Sequence, residues 1–145
     1  MTRAGPICAL AATVVAIYLS AGSALAQVRA KADVACRPAG ATLEYDCTIK
    51  LTNARTNEPM PGVTLTVGAD MPSMPMMHNV RPVKAAPGAD SGTYQARLVL
   101  EMHGDWAVQV NLSGPVRDRV VANIRFDPDR ATPTVPSRAR PSHKH

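Results

Sequence analysis

Leu43, Tyr45, Cys47, Ile49 and Leu51 alternate without a break with Glu44, Asp46, Thr48 and Lys50. Strict apolar–polar alternation is the period of a β-strand with one buried face, and a helix cannot gather those residues on one side. The pattern recurs along the chain. Val28, Ala30, Ala32, Val34 and Cys36 precede it, and Val63, Leu65 and Val67 follow. Tyr94, Ala96, Leu98 and Leu100 repeat it, as do Trp106, Val108, Val110 and Leu112, then Val120, Ala122, Ile124 and Phe126. Turn-forming residues separate these runs: Pro38-Ala39-Gly40, Asn53 to Gly62 with Pro59 and Pro61, a loop from Ala85 to Gly92 with Pro87-Gly88 and Ser91-Gly92, and Ser113-Gly114-Pro115. Val80 and Val83 suggest a short strand, and Pro82 between them confines it to a sheet edge. No helical period of useful length follows Ala26. About seven short strands with one apolar face predict an all-β antiparallel β-sandwich. Trp106 shares the parity of Val108 and Val110, which makes it a core residue.

The first residues follow a different logic. Arg3 is a basic n-region, Ile7 to Leu19 an apolar h-region, and Ala24-Leu25-Ala26 a small-x-small cleavage signal. The apolar run falls short of the roughly 20 residues a membrane span needs. Residues 1–26 are therefore expected to be a secretory signal peptide, cleaved after Ala26, with an uncleaved N-terminal anchor as the alternative, and the protein to be periplasmic or otherwise exported. Residues 27–126 form one domain's worth of chain. Residues 127–145, proline-rich and basic with almost no large apolar side chains, are expected to be a disordered tail. Its end, Ser142-His143-Lys144-His145, reads either as a solvated basic terminus or as a weak Cu(II) or Zn(II) ligand set.

Charge narrows the partners. The formal charge is +5, falling to +4 once Arg3 leaves with the leader. The basic residues are spread out, and one Trp, one Phe and Tyr45 and Tyr94 offer no base-stacking platform, so nucleic acid is not an expected partner. Cys8 lies in the leader, leaving Cys36 and Cys47. An even cysteine count in an exported chain reads as a disulfide. The alternative is a thiol metal or redox site, although the spacing is not C-x-x-C.

One segment carries unusual chemistry. Met71-Pro72-Ser73-Met74-Pro75-Met76-Met77-His78 holds four of the seven methionines and one of the four histidines. Thioether and imidazole donors select soft or borderline metals, Cu(I) above all. Pro72 and Pro75 argue against a helical core stripe and are expected to hold the segment extended, displaying its thioethers from a loop. Met102-His103-Gly104-Asp105 interrupts a later pair of strands. If the two loops share one end of the sandwich, Met71, Met74, Met76, Met77, His78, Met102 and His103 form a candidate ligand set. Methionine has other uses, as an adaptable or oxidation-sacrificial contact surface and as core filler, and the residues alone leave these open. Asp70, Glu101 and Asp105 flank the loops, either as partners that orient an imidazole or as solvated charges. No Asp/Glu/His grouping has the form of a zinc hydrolase. No Ser/His/Asp arrangement or Cys/His pair supports nucleophilic catalysis, and no enzymatic activity is expected.

The order of these elements resembles the YtkA-like family of exported domains, related to FixH-type proteins. The resemblance rests on Met71 to His78, Gly92-Thr93-Tyr94 and Met102 to Trp106, within roughly Val63 to Phe126. It implies an immunoglobulin-like sandwich and, for some members, copper handling linked to respiratory-oxidase assembly. Matched position by position, it puts forward Met74, Met76 and His78 as ligands, with Met102 or His103 opposite. The expected function is a periplasmic Cu(I) carrier or buffer, with a membrane oxidase-assembly or efflux protein as recipient. The alternative is a non-metal interaction module that docks on such a complex.

Overall fold

The computed structural model describes Met1 and residues 27–135. The expected leader with its expected cleavage site, and the terminal histidines His143 and His145, lie outside the described residues. Among the described residues nine strands run in order: β1 (Ala30–Pro38), β2 (Glu44–Asn53), β3 (Thr64–Asp70), β4 (Asn79–Lys84), β5 (Ala86–Pro87), β6 (Thr93–Val99), β7 (Gly104–Ser113), β8 (Asp118–Asp127) and β9 (Arg130–Pro133). They form two antiparallel sheets, β1-β2-β6-β5 and β4-β3-β7-β8-β9. The described residues contain no helix. The all-β sandwich expected from the alternation is what the chain forms.

The alternation also dictates the core. Tyr45, Cys47, Ile49 and Leu51 from β2 face Leu65 and Val67 from β3, Leu98 from β6, Trp106, Val108 and Val110 from β7, and Ile124 and Phe126 from β8. These side chains are almost wholly removed from water, and such burial is worth roughly 1.5–3 kcal/mol for each large apolar side chain. The four strands that contain proline, β1 with Pro38, β4 with Pro82, β5 with Pro87 and β9 with Pro133, all lie at sheet edges, where a missing N–H breaks no inner ladder. β4 also carries a bulge: Val67 pairs with Val83 and Ala69 with Val80, so Arg81 and Pro82 together oppose Gly68.

Two expectations require correction. Ala86 and Pro87, placed in a loop by their composition, pair with Gln95 and Tyr94. Asp127 and Arg130–Pro133, expected to belong to a disordered tail, are strand instead. β8 continues through Asp127, and Arg130–Pro133 turns back to pair with Ile124–Asp127. Main-chain hydrogen bonds dominate this last strand, whose side chains are mostly exposed, with only Ala131 packed on the core. A pairing carried mainly by the backbone leaves little apolar signature in the sequence. Cys36 and Cys47 stand directly opposite in the β1–β2 register and form a disulfide on the inner face of that hairpin.

Candidate functional site

β3 and β4 are consecutive antiparallel strands, with Asp70 paired to Asn79, so residues 71–78 are the loop of a hairpin. The loop is internally built. The Met71 N–H donates to the His78 carbonyl at 3.3 Å and closes its neck. Met74 N–H donates to the Met71 carbonyl at 3.0 Å, and Met77 N–H to the Met74 carbonyl at 3.2 Å, giving two turns in succession. Pro72 and Pro75 each take the second position of a turn, where their fixed φ is already correct. The prolines thus bend the segment instead of holding it extended. In the second turn Met76 follows Pro75 with φ of 67°. Proline then a positive φ is the signature of a type II turn, whose third position ordinarily takes glycine.

This geometry sorts the methionines. Met71 is 4% exposed and belongs to the core. It continues the inward parity of Leu65, Val67 and Ala69, a signal that the sequence carried. Met76 and Met77 are 92% and 75% exposed, while Met74 and Met102 are 38% and 36% exposed. Four thioethers are therefore presented to solvent. His78 lies at the foot of the loop and is half-buried.

The second loop, between β6 and β7, is anchored at both ends. Leu100 N–H donates to the Leu43 carbonyl at 2.9 Å, and the buried Trp106 Nε1–H donates to the Met102 carbonyl at 3.2 Å. Gly104 has φ of 137°, and the Met71 Cε lies 3.0 Å from where a Cβ on residue 104 would stand. Only glycine meets both demands, the backbone conformation and the close approach of a neighbour's side chain. The two loops also meet through side chains: His78 Nδ1 lies 2.5 Å from Glu101 Oε2. Both therefore occupy one end of the sandwich. His103 takes a different direction and lines a cleft with Leu43, Tyr45 and Pro128 beside the β1–β2 turn.

The three flanking carboxylates divide clearly. Asp70 accepts from Gln109 Nε2 at 2.6 Å, Asp105 accepts from Arg125 at 3.1 Å, and Glu101 is paired with His78. The sequence offered all three as partners for an imidazole, and could not choose between them because the choice depends on cross-strand geometry. Among the described residues no three His, Cys, Asp or Glu side chains gather to hold a metal ion. A centre for zinc or calcium built on such donors is therefore not available there. Exposed thioethers and one imidazole are a soft donor set of another kind.

No curated protein and no solved structure matches this chain. A family model described as YtkA-like matches residues 38–111, about half of the chain, from the end of β1 into β7. The matched stretch contains the methionine loop, Glu101 and Trp106. On that match, the chain belongs to the YtkA-like family.

Proposed function

We propose that this protein is an exported, periplasmic Cu(I) carrier or buffer, with its metal held by the methionine loop. The observation that carries the reading is the exposure of Met74, Met76 and Met77 on one short hairpin that also holds His78. Apolar thioethers normally retreat from water, and a turn that holds three of them outward leaves their sulfur lone pairs open to an ion. Met102, on the adjoining loop, supplies a further sulfur. Cu(I) accepts sulfur and nitrogen sites of low coordination number, so three or four of these donors suffice. Copper is cargo here. It enters and leaves by ligand exchange, and no catalytic step is involved. Thioethers carry no titrating proton, so affinity through them depends little on pH. A membrane protein of oxidase assembly or efflux is the proposed recipient.

The test is a Cu(I) titration of the apo protein against a competing chelator. About one equivalent should bind. Removing even an outer-shell partner typically costs 10–100-fold in metal affinity, so Met74→Ala with Met76→Ala should weaken binding by more than about 100-fold. Unchanged affinity in that double variant would remove the proposal. The exposure of Met76 and Met77 also favours a second reading, a soft contact surface for a protein partner. Cu(I) binding no tighter than that of an unrelated methionine-containing protein, together with a stable captured membrane partner, would select it.

A further inference from the structure

We infer that Glu101 is the positioning residue of the methionine loop: it holds the His78 ring as the Nδ1–H tautomer and leaves Nε2 as the nitrogen open to a ligand. The inference rests on the copper reading only for the identity of that ligand. The tautomer itself follows from the hydrogen bond.

His78 Nδ1 faces Glu101 Oε2 at 2.5 Å. A carboxylate accepts hydrogen bonds and does not donate them, so the shared hydrogen belongs to Nδ1. In a neutral imidazole the other nitrogen then carries the lone pair. This is the arrangement by which metal-binding histidines are oriented, with the far ring N–H given to a carboxylate.

Glu101 is suited to the task by its mounting. The residue before it is fixed through the Leu100 N–H bond to Leu43, and the residue after it through the Trp106 bond to the Met102 carbonyl. Trp106 is 1% exposed, so that second anchor is set in the core. His78 is fixed from its own side, since its carbonyl accepts the Met71 N–H that closes the loop. Met71 in turn packs against the Gly104 backbone. The carboxylate and the imidazole are thus each carried by a backbone tied down on both sides. The competing carboxylates are engaged elsewhere, Asp70 with Gln109 and Asp105 with Arg125. The glutamate side chain is 54% exposed, so its replacement removes no core packing.

The experiment uses ¹⁵N-labelled full-length apo protein and reads the two ring nitrogens of His78 by long-range ¹H–¹⁵N correlation near neutral pH. The same samples are then titrated with Cu(I) against a competing chelator. The expected result in the parent protein is an Nδ1–H ring. Glu101→Ala should shift His78 toward the Nε2–H form that a free histidine prefers and weaken Cu(I) about 10-fold or more. Glu101→Gln keeps an acceptor oxygen and should fall between the two. An Nε2–H ring in the parent protein, or a Glu101→Ala variant with unchanged tautomer and affinity, would overturn the inference. Failure of the parent protein to bind Cu(I) while its His78 is Nδ1–H would overturn the copper reading and uphold the tautomer assignment. The two failures are therefore distinguishable.

Discussion

Met76 occupies a turn position that ordinarily belongs to glycine. Its φ of 67° costs an L-residue roughly 1–2 kcal/mol, and no packing offsets that cost, since the side chain is 92% exposed. A residue kept at a strained position without contacts invites a functional explanation. Met76→Gly should therefore leave the fold as stable as before, or more stable by about 0.5–1 kcal/mol, because relief of the turn exceeds the extra freedom gained by the unfolded chain. The same change should weaken Cu(I) binding. Met76→Ala separates the effects, since it keeps the strained backbone and removes only the thioether. Chemical denaturation checks the stability arm, and a loss of more than about 1 kcal/mol in Met76→Gly would show that the side chain packs. Part of this loop was legible at the residue level: Pro72 and Pro75 argue against a helix, and Met74, Met76 and Met77 are displayed from a loop as expected, although the prolines bend it instead of extending it. The inward position of Met71 is written in its parity with Leu65, Val67 and Ala69, which overrides its membership of the methionine cluster. The bond between His78 and Glu101 was not legible. It joins residues 23 apart in sequence, and three carboxylates had equal claim until the strands were placed.

At the scale of elements, the β1–β2 hairpin shows what alternation can and cannot specify. Both cysteines fall on the inward parity of their strands, and the register sets them opposite one another. The disulfide spans 11 residues of sequence, and closing a loop of that size removes roughly 2.5–3 kcal/mol of freedom from the unfolded chain. Replacing both cysteines by alanine should lower the unfolding free energy by about that amount while the strand signature in circular dichroism persists, because β2 keeps its pairing with β6. A variant within about 0.5 kcal/mol of the parent, or two reactive thiols in the folded, unreduced protein, would show that the bridge contributes nothing. The strong strands β2, β6 and β7 were legible because each buries alternate residues of its own sequence. β5 and β9 were not. Ala86–Pro87 has two residues and no buried side chain, and Arg130–Pro133 turns only Ala131 toward the core, so both are held chiefly by the free backbone groups a neighbouring strand offers.

At the scale of the whole molecule, one side chain ties the two sheets together near the end of the last long strand. Tyr45 on β2 is 1% exposed. Its ring meets Phe126 of β8 edge-on with centroids 4.7 Å apart, and its hydroxyl donates to the Asp127 carbonyl at 2.7 Å. The bond crosses from one sheet to the other, and it helps explain why the ordered chain continues past Phe126 into β9. Burial pushes the Tyr45 phenol above its ordinary value of 10.0, and the Asp127 and Asp129 carboxylates push it the same way. The sign follows from the raised value: the folded protein holds this proton more tightly than the unfolded chain does. The associated stability is fully present below pH about 10, where the unfolded tyrosine titrates, and is lost as pH rises through the folded value. Tyr45→Phe should cost about 0.5–1.5 kcal/mol at neutral pH through the lost hydrogen bond, while keeping the ring packed on Phe126. It should also flatten the decline of stability above pH about 10, because phenylalanine has no proton to lose. Denaturant unfolding of the parent and the variant at matched pH values on either side of 10 reads both effects. If the variant lost stability above pH 10 as steeply as the parent, the alkaline limb would belong to other groups and the bond between Tyr45 and Asp127 would not be its source.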